Sequence, residues 1–426
     1  MEALRGEQRP RLVHASAPLS VDLLVMLTRF MLRGSGEGSF HISSTVQQVG
    51  EAYGVSAEVQ AFPDSAVLLV RTDEGEWSAV IHEVADIPRL DRAAELRELV
   101  HEVDGGRLPV GQALQRLERL GSSSALYPAW TVLPGLALFA LGFGLSVQAT
   151  WQEVILSPLL GALVGAFVLL RRAEPKLAPA APLLAASTVS ALVLALYPVV
   201  PLKGAPVELM IPALFYFIPG DVLSAAILEV SVGRISAGVT RLGYALVQLF
   251  ALSIGVVVGG IVTRTQPNAL FQASVAPDFS GWVVAVGWLV FAIGMVWSFS
   301  LRWRDFGWMV LLIYLGFAVV EVGTALFGEL AGTLLAGIAA SFVVSLLTRA
   351  PTRPPYLVMI LGAFFVLTVG AKGLRGLTAL GTGDLVQGFT SWFDMAEVGT
   401  ALSLGMLLGN VLASLVPDRR HQPGRQ

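Results

Sequence analysis

The sequence predicts a membrane all-α fold: about ten transmembrane helices, arranged as two inverted five-helix repeats and preceded by a small soluble α+β domain. Three observations predict it. First, only 14% of the 426 residues are charged, against about 25% in a soluble globular chain. The deficit is uneven, with 30 charged residues in 1–129 and only 25 in 130–416. Second, from Trp130 onward the chain divides into ten apolar runs, most of them about 20 residues long, enough for a helix rising 1.5 Å per residue to cross a core of about 30 Å. Third, five glycine pairs recur at one offset: Gly220/Gly370, Gly233/Gly383, Gly238/Gly388, Gly255/Gly405 and Gly259/Gly409, each 150 residues apart.

In chain order, residues 1–17 read as disordered. Residues 18–121 read as a cytoplasmic α+β domain. Pro18, Ser20 and Asp22 open a helix that stops at Gly34, and a second helix runs from Ser39 to Tyr53 with Ile42, Val46 and Val49 on one face. Three alternating stretches, 55–62, 65–71 and 77–84, read as strands separated by Pro63-Asp64 and 72–76. Helices over 90–103 and 110–120 end at Gly105-Gly106 and Gly121. Residues 122–129 are a linker.

The ten runs are 130–149, 153–170, 181–198, 207–229, 239–262, 281–299, 306–325, 328–348, 356–377 and 387–415. They group as membrane repeat 1 (130–262) and membrane repeat 2 (281–416), followed by a cytoplasmic tail, 417–426. Five spans per repeat is odd, so the halves enter the membrane from opposite sides, an architecture that places a substrate site between them near the midplane. With the N-terminus inside, the inner segments carry twelve Lys and Arg and the outer segments four, which predicts both termini in the cytoplasm. The start of the chain has no clean signal peptide: the apolar stretch 23–27 is short and is followed by Arg29 and Arg33.

Composition excludes several chemistries. There are no cysteines, hence no disulfides, thiol nucleophile or thiolate metal site. A net charge of −3 without a basic patch argues against nucleic-acid binding. All five histidines lie outside the apolar region, so proton transfer inside it falls to carboxylates. Gly34–Ser39 lacks the Lys-Ser/Thr of a phosphate loop and follows a helix rather than a strand. His41 has serines nearby but no placed acidic orienter. No catalytic residue, metal site or cofactor is assigned, and the chain reads as a transporter rather than an enzyme.

The candidate substrate-binding or proton-coupling residues are Pro219, Gly220, Asp221, Glu229, Gly370, Asp394 and Glu397. Pro212 and Pro219-Gly220 break the fourth run. Freed backbone groups at membrane depth occur where they line a cavity or pack on protein, and a half-helix N-terminus suits a carboxylate. Asp221 follows the break directly. Glu229 lies eight residues on, about 80° around the helix. Asp394 and Glu397 share one face of the last run. Intramembrane carboxylates are costly and mark cavities or pathways. Lys372 and Arg375 read as an outer loop pair, and Glu321 and Glu329 as interfacial.

These residues resemble the threonine/serine exporter family of bacterial membrane proteins over nearly the whole chain, from about Leu23 to Leu415. The resemblance rests on Phe30-Met-Leu-Arg-Gly-Ser-Gly36, 46–54, Ile87-Pro-Arg-Leu-Asp91, Leu96-Arg-Glu-Leu-Val100 and Gly106-Arg-Leu-Pro-Val-Gly-Gln-Ala113. In the apolar part it rests on Ile218-Pro-Gly-Asp-Val222, Val232-Gly-Arg-Ile-Ser-Ala-Gly238, Gly383-Asp-Leu-Val-Gln-Gly388 and Leu404-Gly-Met-Leu-Leu-Gly-Asn410. The chain departs from the family pattern at Ser43-Ser44-Thr45, where an acidic residue is usual, and at Val369-Gly370, where Pro-Gly is usual. The resemblance implies efflux of L-threonine and L-serine across the bacterial inner membrane, driven by the proton motive force. Its partners are then the amino-acid substrate, protons and the bilayer, with no nucleic acid; the oligomeric state is left open. Two other readings stand beside it: export of another polar metabolite such as a dicarboxylate, and a membrane enzyme or sensor whose soluble domain binds a ligand.

Overall fold

The computed structural model describes residues 18–34, 38–83, 89–272, 279–350, 352–367 and 369–417. The predicted disordered start, the tail beyond 417 and most of the glycine-rich turn after Gly34 lie outside the described residues.

The N-terminal unit is α+β, as expected. Helices α1 (Leu19–Gly34) and α2 (Ser39–Ala52) precede strands β1 (Ser56–Ala61), β2 (Ser65–Thr72) and β3 (Gly75–His82), and α3 (Leu90–Asp104) and α4 (Val110–Ser122) follow. The strands form an antiparallel meander in the order β1-β2-β3, with Val59 opposite Leu68 and Val70 opposite Trp77. Alternation decides which face is buried. Leu68, Val70, Trp77, Ala79 and Ile81 turn inward onto Leu24, Leu27, Ile42 and Val46 of the first two helices. The outer face carries Arg71, which pairs with Glu58 and Glu76. Gly54 closes α2 at φ +71, a left-handed position that suits glycine.

Twelve helices follow: α5 (Val132–Val147), α6 (Trp151–Ala173), α7 (Ala181–Leu196), α8 (Pro206–Leu214), α9 (Gly220–Ser231), α10 (Ile235–Val262), α11 (Gly281–Ser298), α12 (Trp303–Phe327), α13 (Glu329–Leu347), α14 (Tyr356–Val366), α15 (Val369–Gly381) and α16 (Leu385–Leu415). Seven helical segments among the described residues are long and apolar enough to cross a membrane, and nine if each bent pair counts as one span. The expected run 181–198 differs. It forms only the 16-residue α7, because Pro198 and Pro201 follow and the residue before a proline disfavours helix. The expected runs 207–229 and 356–377 are each two helices, bent by 65° between α8 and α9 and by 47° between α14 and α15.

Glycine lets these helices meet backbone to backbone. A Cβ on Gly142 of α5 would stand 2.3 Å from the Phe291 nitrogen of α11, and one on Gly294 would stand 2.4 Å from the Phe139 nitrogen. Gly135 faces Ser298 while Gly142 faces Gly287, so α5 and α11 run antiparallel. Gly255 and Gly259 of α10 press on α7 at Leu183 and Ser190. Gly405 and Gly409 of α16 press on α13 at Leu334 and Ile338. Ser190 donates to the Val256 carbonyl at 2.8 Å, and Ser341 to the Met406 carbonyl at 2.8 Å. Gly233 and Gly383, at φ +82 and +90, turn the chain into α10 and α16.

The N-terminal unit sits on one end of this bundle. The Leu90 and Asp91 N–H groups donate to the Phe299 and Ser300 carbonyls at 3.0 and 3.1 Å. Leu90 itself is 1% exposed and belongs to the bundle's apolar core. Tyr127 donates to the Leu301 carbonyl at 2.9 Å. Burial and, less strongly, the Asp91 charge raise the pKa of that hydroxyl, which keeps it a donor. Arg302 bonds Glu98 at 2.9 Å, and Arg97 reaches the Thr348 carbonyl. The contacts fall on the α11–α12 and α13–α14 connections and, below, on the α9–α10 turn.

Candidate functional site

The bend between α8 and α9 forms because the sequence removes helix at that point. Pro212 lies inside α8, a 3₁₀ turn covers Phe215–Phe217, and Pro219 takes φ −82, ψ 52, outside the helical basin. Side chains donate to carbonyls on both sides of the bend. Gln248 of α10 donates to Phe217 at 2.6 Å. Ser224 donates to Gly220 at 3.0 Å, and Ser403 of α16 donates to Ser224 at 3.1 Å. The Gln248 bond is the satisfaction that a carbonyl in the break needs away from water.

The two bends touch. A Cβ on Gly370 would stand 2.3 Å from Ile218 Cγ2 and 3.2 Å from Gly220 Cα, and one on Gly220 would stand 3.5 Å from the Gly370 nitrogen. Aromatic rings fill the space beside them. Phe139 and Phe291 lie 4.4 Å apart, Phe215 and Phe365 5.4 Å, and Phe143 stacks on Phe215 at 4.2 Å. Pro219, Gly220, Asp221 and Gly370 thus form one locus, walled by an apolar cluster.

Asp221 stands in the first turn of α9. Its half-buried carboxylate lies against the N–H groups of Asp221 and Val222, in the field of Arg241. The N-terminus of α9 therefore carries its own carboxyl group. That of α15 has no acidic residue in its first turn.

Glu229 is placed differently. It is 4% exposed and serves the joint with the N-terminal unit. One carboxylate oxygen accepts the Ser39 N–H, at the start of α2, at 2.8 Å, and the other pairs with Arg241 Nε at 3.0 Å. Arg234 bonds the Ser39 hydroxyl at 3.2 Å and lies over the Phe40 ring at 5.3 Å. Glu229 stands about 12 Å along α9 from Asp221, with Arg241 acting on both.

Asp394 and Glu397 are exposed on α16, apart from the bends. Glu397 lines an open groove with Leu330, Leu334 and Leu404. Lys372 pairs with Glu329, and Arg375 of α15 with Glu208 of α8, which ties the two bent pairs together. Sequence reasoning passed over Arg241, Gln248 and Ser403. The signal was present: Gln248 and Ser403 are polar residues inside apolar runs, and Arg241 was read as an inner-segment charge. No cluster of residues able to hold a metal occurs among the described residues.

A family model described as "Putative threonine/serine exporter" (ThrE) matches residues 22–262. The chain belongs to the threonine/serine exporter family. The match runs from Asp22, in the first turn of α1, to the last residue of α10, so the family pattern includes the joint at Glu229 and the bend with Pro219, Gly220 and Asp221. Helices α11–α16 lie beyond it. No curated protein and no solved structure matches the chain. Membership in an exporter family makes the chain a multi-pass membrane transporter of a small molecule.

Proposed function

We propose that this family member is a secondary exporter of small hydroxylated amino acids, L-threonine and L-serine, driven by the proton motive force. The observation that carries this reading is the contact between two bent helices at Gly220 and Gly370, with a carboxylate directly after one bend and none after the other. A zwitterion needs both signs. The N–H groups that open α15 suit the substrate carboxylate, and Asp221 suits its ammonium. A proton and the substrate ammonium cannot both be held by one carboxylate, so they compete for Asp221 and their fluxes couple.

The architecture we propose is ten spans in two inverted repeats, 130–262 and 281–416, with 122–129 as the linker from a cytoplasmic domain, 18–121. Its support is the recurrence of the glycine and serine contacts at offsets of 150 and 151, the antiparallel α5 and α11, and the contacts Phe215/Phe365 and Gly220/Gly370 between equivalent positions. Export in a bacterial inner membrane with both termini cytoplasmic fits the twelve-to-four charge bias. A dicarboxylate substrate is the weaker reading, because Lys372 and Arg375, the cations of α15, are already paired with Glu329 and Glu208.

Counterflow in proteoliposomes tests the reading. Preloaded unlabelled L-threonine or L-serine drives uptake of the labelled amino acid, and preloaded succinate does not. Exchange with succinate and none with either amino acid would replace the substrate class.

A further inference from the structure

A second polar recess lies away from the bent helices. It opens between α3 and the α11–α12 and α13–α14 connections, with a volume of about 400 Å³. Its walls carry Arg97, Arg302, Arg304 and Arg353 against Glu98 and Asp305, a balance of four cations to two anions. Both acids are engaged: Glu98 accepts Arg302 Nη1 at 2.9 Å and also Arg304, and Asp305 accepts Arg302 Nε at 2.7 Å. Arg353 has no carboxylate partner among the described residues. Its guanidinium lies over the Trp308 ring at 4.1 Å, which fixes its plane while its edge keeps N–H donors to offer. Close by, Trp303 is exposed and packs edge-on against Phe306 at 5.3 Å, the kind of aromatic pair that marks a membrane–water boundary.

Charge in cytoplasmic connections is expected for topology alone. That rule explains how many arginines there are, and not their convergence on one recess roofed by the N-terminal unit. A phosphoryl group matches such a site, because its oxygens accept the paired donors of arginine forks. We propose that this recess binds a phosphate-bearing anion between Arg353 and Arg304, and so ties the α11–α12 and α13–α14 connections together beneath the N-terminal unit. The proposal is independent of the exported substrate.

The test uses the full chain purified in neutral detergent. It is titrated with phosphatidylglycerol, phosphatidylcholine, glycerol phosphate and inorganic phosphate, with thermal midpoint and bound lipid (native mass spectrometry) as readouts. Phosphatidylglycerol is expected to bind and raise the midpoint, and phosphatidylcholine is not. Arg353→Gln should weaken that binding about fivefold, the fold-change equivalent to about 1 kcal/mol per cation at an anionic surface. The double variant Arg304→Gln/Arg353→Gln should weaken it about 25-fold on the same scale. Lys176→Gln, an exposed cation in another connection, should leave it unchanged. If millimolar glycerol phosphate or inorganic phosphate gives the same arginine-dependent shift, the ligand is a soluble phosphate; if only the lipid does, it is a headgroup. A parental protein that prefers no net-anionic phosphate probe over zwitterionic phosphatidylcholine overturns the proposal. So does a preference that survives the double substitution or falls equally in Lys176→Gln.

Discussion

Two carboxylates eight residues apart on α9 have separable tasks, and their variants should separate them. Asp221 follows the Pro219-Gly220 break, and Asp221→Asn keeps its shape while holding it permanently uncharged. Under the proposed mechanism this variant loses proton-driven net export and binds substrate more weakly by about 1–3 kcal/mol, the usual cost of removing a charged hydrogen-bond partner. Export at the parental rate with unchanged dependence on external pH would make Asp221 structural. Glu229 instead ties the bundle to α2 through Ser39 and to α10 through Arg241. Glu229→Gln takes the ionic partner from the part-buried Arg241 and weakens the acceptor for the Ser39 N–H, at a cost of about 1–3 kcal/mol. Its expected signature is faster hydrogen exchange at amides 39–45, where the helix start loses its anion, partly restored by adding Arg241→Gln. Unchanged exchange there would mean that the joint does not rest on Glu229.

At the scale of elements, stability follows how closely helices approach, and glycine substitutions report that approach. Gly142→Ala places a methyl group 2.3 Å from the Phe291 backbone nitrogen, so α5 and α11 must move apart at a cost of about 1–3 kcal/mol. Gly243→Ala, in α10 with nothing within 4 Å, should be neutral or stabilising by up to about 1 kcal/mol. Thermal midpoints of the two variants in one detergent decide this, and equal effects would remove the close-packing account. Much of this level was legible in the sequence. The three strands and four N-terminal helices followed from alternation, helical faces and glycine stops, and the turn at Phe327-Gly328 was placed correctly within a nearly continuous apolar run. The Pro219-Gly220 break was legible because proline removes a donor. The partner bend beside Gly370 was signalled only by glycine and by the offset of 150, since no proline marks it. The short α7 was misjudged because hydropathy continues through Tyr197-Pro198 while the backbone cannot. The role of Glu229 was not legible, because its partner Ser39 lies 190 residues away and no local pattern records that docking.

For the whole molecule the open physical question is the direction in which each half threads the bilayer. The N-terminal unit touches the α9–α10, α11–α12 and α13–α14 connections, so these three share one side of the bundle. In the proposed topology that side is the cytoplasmic one, as the positive-inside rule expects of their arginines. Inversion carries a sharper consequence. The α6–α7 connection, with Lys176, and the α12–α13 turn, with Glu329, occupy the same place in their respective halves. Parallel repeats would put both on one side; inverted repeats put them on opposite sides. The chain has no native cysteine, so single Lys176→Cys and Glu329→Cys variants report without background. Both positions are exposed. A membrane-impermeant maleimide added to intact cells should label Glu329→Cys and spare Lys176→Cys, and inside-out vesicles should reverse the pattern. Labelling of both from the same side would remove the inverted architecture, and with it the placing of a substrate site between Gly220 and Gly370.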